Sequence, residues 1–129
     1  MRAILTINAT FEALIELESF IDALTPTVSR HLRGQILLAM HELCANIIEH
    51  AYAGAAGTIA LEGNGDATSL QLSIYDHAPN AYIHTEIALP KPLDLPEGGW
   101  GLAILYAVFE RVEYERLDSG NHWLLFKAW

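Results

Sequence analysis

Apolar residues recur at three- and four-residue intervals from position 10 to 24, where Phe11, Leu14, Ile15, Leu17, Phe20, Ile21 and Leu24 share one side of a helical projection. Thr10 stands where an N-cap belongs, and Pro26 stops the helix. Before it, residues 3–8 alternate as a short strand. Ser29 then caps a long helix that the spacing carries to about Tyr52, with Gly54 and Gly57 closing it. Residues 58–62 read as a strand, Gly63-Asn64-Gly65-Asp66 as a turn and residues 70–75 as the partner strand of a hairpin. Periodicity is lost over 76–99, where Pro79, Pro90, Pro92 and Pro96 interrupt a connection unusually long for a small domain; such segments serve as lids or binding loops. It returns as a helix over 101–110 through Leu102, Ile104, Leu105, Val108 and Phe109. A closing hairpin follows, 112–117 and 122–127 around Asp118-Ser119-Gly120-Asn121.

The long helix has two distinct sides. At about 100° per residue, Glu42, Asn46 and Glu49 fall within a narrow arc, opposite Ile36, Leu37, Met40, Leu43, Cys44, Ile47 and Ile48. One face packs and the other presents carboxylates and an amide.

With 129 residues, 52% of them hydrophobic, the chain suits one domain over residues 1–129, without repeat or linker. Sixteen Asp and Glu against seven Lys and Arg give a net charge of −9. The cations form no cluster, which argues against binding to nucleic acid. No apolar run approaches the roughly 20 residues of a membrane span, and the N-terminus lacks a secretory layout, so the expected location is cytoplasmic. The single cysteine, Cys44, points into the apolar arc and is expected to be a buried thiol.

Three polar signals stand out against this scaffold. An Asn carbonyl can ligate magnesium without adding negative charge beside a triphosphate, and a carboxylate one turn earlier can accept a proton from a nucleophile. Asn46 and Glu42 fit those parts, although the same pair also suits a solvated helix face. Asp76 ends the run Leu70-Gln71-Leu72-Ser73-Ile74-Tyr75, where a carboxylate can floor a cavity and accept an exocyclic amine; its other reading is a turn before Pro79. Gly98-Gly99-Trp100-Gly101 precedes a helix, and glycines there let backbone amides approach a phosphate. Walker, dinucleotide-binding, protein-kinase and nucleophile-elbow motifs are absent from the sequence. So is the HExxH zinc pattern, since position 45 is Ala, which leaves His41 and His50 as surface or helix-end residues.

The order Glu42-x-x-x-Asn46, Asp76, then Glu97-Gly98-Gly99-Trp100-Gly101-Leu102 resembles the ATPase superfamily of gyrase, a heat-shock chaperone, mismatch-repair proteins and histidine kinases. Within it the chain looks most like the small anti-sigma factor serine kinases, over nearly its whole length. That resemblance implies an α/β two-layer sandwich, a mixed and mostly antiparallel sheet with helices on one face. It implies ATP and Mg2+ held between the motif helix and a lid at about 77–99, with Asn46 as metal ligand, Glu42 as general base and Asp76 reading adenine. Gly98, Gly99 and Gly101 would form the phosphate-facing hinge, with the helix near Leu102 directed at the phosphates. The implied partners are an anti-anti-sigma protein that receives the phosphoryl group on serine and a sigma factor that is sequestered, with the kinase as a homodimer. One position departs from the pattern. The usual Asp-x-Gly reads Asp76-His77-Ala78, which leaves open a non-catalytic, nucleotide-gated binding module.

Overall fold

Strands β1 (Arg2–Asn8), β2 (Thr58–Gly65), β3 (Ser69–Asp76), β4 (Arg111–Leu117) and β5 (Gly120–Ala128) form one sheet in the order β1-β2-β3-β5-β4, with every pairing antiparallel. The computed structural model of the chain describes residues 1–80 and 100–129. Side-chain alternation explains which face of the sheet is covered. In β3, Leu70, Leu72, Ile74 and Asp76 all point into the core, while Gln71 and Tyr75 are exposed. The period of two therefore puts one carboxylate at the end of an apolar file.

The helical layer begins with a 3-10 turn (Phe11–Ile15) and α1 (Glu16–Leu24), where the periodicity predicts one continuous helix. Thr10 is the N-cap, its Oγ1 accepting from the Ala13 N–H at 3.4 Å. Of the first five helical residues only Leu14 is buried, with Ala13 half-buried beside it against the core. Ser29 caps α2 (Arg30–Asn46), accepting from the Leu32 N–H at 3.2 Å. α2 buries Ile36, Ala39, Met40, Leu43 and Cys44 at helical spacing, and α3 (Trp100–Val108) and α1 pack against it. These residues share a core with Leu61, Leu72, Ile74, Trp123 and Leu125 from the sheet.

Two details differ from the sequence expectations. The long helix does not run regularly to Tyr52: after Asn46 it widens into a π-helical turn (Ile47–Ala51), and Ala53 and Gly54 then reverse it with φ of 51° and 87°. The expected turn at Gly63-Asn64-Gly65-Asp66 is instead mostly strand. A Cβ on Gly63 would lie 2.3 Å from a Leu24 methyl, and one on Gly65 2.3 Å from the Leu24 carbonyl. These two glycines let the end of α1 press on β2, and the reversal falls on Asp66. Its Oδ1 accepts from the Thr68 and Ser69 N–H groups at 2.8 and 2.9 Å, and these bonds hold its carboxyl below the usual carboxylate range.

Candidate functional site

Each site residue arrives by a different local rule. α2 carries Glu42, half-buried, and one turn later Asn46, only 7% exposed. The π-helical turn starts at the next residue, and such widened turns often mark functional sites. It also rotates the following residues out of register, so Glu49 is exposed and lies beside His50 at 3.7 Å instead of extending the polar stripe. No hydrogen bond among the described residues ties down the Asn46 amide, which leaves its carbonyl oxygen available as a ligand. Cys44 sits on the opposite side of α2, fully buried, with its thiol pushed up to about 12 by desolvation.

Two side chains join the end of the long helix to the end of β3. The Tyr52 hydroxyl donates to the Thr58 carbonyl and accepts from the His77 N–H at 2.9 Å, its ring lying over Gly57. Asn80 Nδ2 donates to the Ala51 carbonyl at 3.2 Å. Helix end, strand end and the start of the 77–99 segment thus meet at one end of the sheet.

Asp76 lies there, 1% exposed. Its Oδ1 accepts from the Ala78 N–H at 2.9 Å and from Asn121 Nδ2 at 3.0 Å; its Oδ2 is buried and has no partner among the described residues. A buried carboxylate oxygen without a donor costs about 1–3 kcal/mol or more, so it marks a place built for one. An amine hydrogen would satisfy it, and a carbonyl would be repelled. Ala78 is fully buried, and among the described non-glycine residues positive φ belongs to Ala53 alone. The backbone at Ala78 therefore does not demand glycine.

Gly98 and Gly99, like most of the expected lid, lie outside the described residues. Gly101 and Leu102 fall in the first turn of α3, which begins at Trp100, slightly earlier than the spacing predicts. Asn121 bonds Asp76 from the closing hairpin, and Tyr114 and Arg116 bond the Asn121 amide; none of the three stands out in the sequence. The sequence pattern puts Asn121 in a turn, and no local pattern ties it to a residue 45 positions away.

The family model of the histidine kinase-like ATPase domain matches residues 7–127, from the end of β1 through the helices and β2, β3 and β4 to the penultimate residue of β5. The chain belongs to this family. Membership supports an ATP-binding, kinase-like function. Two solved structures share the histidine kinase-like ATPase fold. One holds the RsbU and RsbW domains of Rv1364c from Mycobacterium tuberculosis, at 17% identity and a TM-score of 0.69 over 98% of this chain, which spans 31% of that longer one. The other is the catalytic domain of the histidine kinase ThkA in a nucleotide-free form, at 18% identity and a TM-score of 0.59, with 98% and 95% of the two chains covered. No curated protein sequence matches the chain. Among the described residues no helix is long and apolar enough to cross a membrane.

Proposed function

We propose that the chain is an ATP-dependent protein serine/threonine kinase of the anti-sigma regulatory type. The observation that carries this reading is the unpartnered Oδ2 of buried Asp76, which suits the exocyclic amine of adenine, next to a helix end where Asn46 offers an untied amide oxygen. In this reading residues 1–129 act as one cytoplasmic domain, with residues 77–99 as its lid and Gly98, Gly99, Gly101 and Leu102 at the phosphates. Asn46 Oδ1, phosphate oxygens and water would hold magnesium, since no three His, Cys, Asp or Glu side chains gather for a cation among the described residues. The ion would neutralise charge on the phosphates. Glu42 accepts the proton of a serine hydroxyl as its oxygen bonds to the γ-phosphorus and the bond to the β,γ-bridging oxygen breaks, releasing ADP. The serine belongs to a small anti-anti-sigma partner; the same protein, as a homodimer, also holds a sigma factor.

Incubation with Mg-ATP labelled on the γ-phosphate and the partner should leave acid-stable label on the partner's serine. Asn46→Ala should abolish metal-dependent nucleotide binding, whereas Glu42→Gln should keep binding and slow transfer by about 100-fold or more. No saturable binding at millimolar Mg-ATP would overturn the reading, and equal loss of binding in both variants would refute the division of roles. The alternative raised by Ala78 in the place of glycine, a nucleotide-gated binding module without catalysis, loses ground because the backbone at Ala78 accepts alanine. Co-elution of the partner without transfer of label would select it.

A further inference from the structure

We propose that Asn121 is the positioning residue of the base-recognition end, and that Tyr114 and Arg116 hold it so that Asp76 offers a purine one free oxygen in one orientation. This rests on the ATP reading above and adds to it the device that sets selectivity. Asn121 is fully buried at the start of β5 and lies directly opposite Asp76 in the sheet register. Its amide has an accepting end and a donating end, and the surroundings decide which faces where. Oδ1 accepts from the Tyr114 hydroxyl and, at 3.4 Å, from Arg116 Nη1. The donating end must then face the other way. There Nδ2 donates to Asp76 Oδ1 at 3.0 Å and to the Asn80 carbonyl at 3.1 Å.

A flipped amide would set its oxygen against the Asp76 carboxylate and the Asn80 carbonyl and its hydrogens against Arg116, losing three interactions, while only the Tyr114 hydroxyl could turn to accept. The orientation is therefore locked. With Asn121 and the Ala78 N–H both on Oδ1, every local donor to the carboxylate is spent on one oxygen, and Oδ2 alone is left. The hairpin can come this near because residue 120 is glycine: a Cβ there would lie 1.9 Å from the Asp76 carbonyl, at a φ of 145° that side chains rarely adopt. Arg116 also donates to the Ala78 and Pro79 carbonyls, each at 3.0 Å, so the same hairpin fixes the backbone beyond the carboxylate. A rigid, accept-only oxygen takes a 6-amino purine and rejects a 6-oxo purine. A carboxylate free to rotate discriminates less.

The test titrates wild type, Asn121→Ala and Tyr114→Phe with Mg-ATP and with Mg-ITP, which carries an oxo group in place of the amine. It also follows amide hydrogen exchange without nucleotide. Wild type should prefer ATP by about 100-fold or more. Asn121→Ala should lose about tenfold in ATP affinity with ITP affinity unchanged, and its Ala78 amide should exchange about tenfold faster while those of Leu72 and Ile74 keep their rates. Tyr114→Phe removes only a hydroxyl, keeps the ring against Trp123, and should narrow the ATP-to-ITP ratio in the same direction. An unchanged ratio together with unchanged Ala78 exchange in Asn121→Ala would overturn the proposal. Wild type binding neither nucleotide would remove the ATP reading instead, and exchange at Ala78 would still decide whether Asn121 positions Asp76.

Discussion

Ala78 stands where the resemblance expects glycine. Glycine is needed at a position when φ must be positive or when another backbone must come within a methyl's reach. Ala78 does not meet the first condition: its φ is not positive, and its N–H is already engaged with Asp76. Ala78→Gly should therefore change Mg-ATP affinity by less than about threefold while lowering stability by about 0.5–1 kcal/mol through added freedom in the unfolded chain. Calorimetric titration and thermal unfolding of the same variant check both halves. A gain in affinity of tenfold or more would mean the methyl blocks the base.

At the scale of elements, two glycines look alike in sequence and differ in the fold. Gly34 is exposed within α2, and a Cβ there would meet nothing within 4 Å. Gly63 in β2 lies under Leu24, with the end of α1 resting on the space a side chain would fill. Gly34→Ala should stabilise by up to about 1 kcal/mol, the helix-propensity difference. Gly63→Ala should destabilise by about 1–3 kcal/mol as α1 is pushed off the sheet. Urea unfolding of the two variants should move the midpoint in opposite directions, and a shift of the same sign in both would contradict the packing of α1 on β2.

For the whole molecule, Cys44 reports on the core. Burial pushes its thiol from the model-compound value of 9.0 up to about 12, so the folded state favours the neutral form. The stability that this supplies is fully present below pH 9 and is lost as pH rises from 9 toward 12. Thermal unfolding should show a progressive loss over that window that is reduced in Cys44→Ala. At pH 8 a thiol reagent should modify Cys44 only as fast as the chain unfolds, and labelling much faster than unfolding would mean that α2 opens locally.

The sequence by itself determined the element order, the packed face of α2 and the inward place of Asp76, because periods of 3.6 and 2 are local properties that a run of residues carries without its neighbours. The caps at Thr10 and Ser29 were legible for the same reason, each being a contact between a side chain and an N–H three residues on. Tertiary structure decided the rest. The glycines of β2 read as a turn until Leu24 is laid across them, and the break after Asn46 comes from a change of helical winding that no period announces. Asn121 read as a turn residue, yet strand pairing sets it against Asp76 across 45 positions. Local chemistry thus placed the carboxylate at the strand's end, while only the folded sheet brought in the amide that aims it.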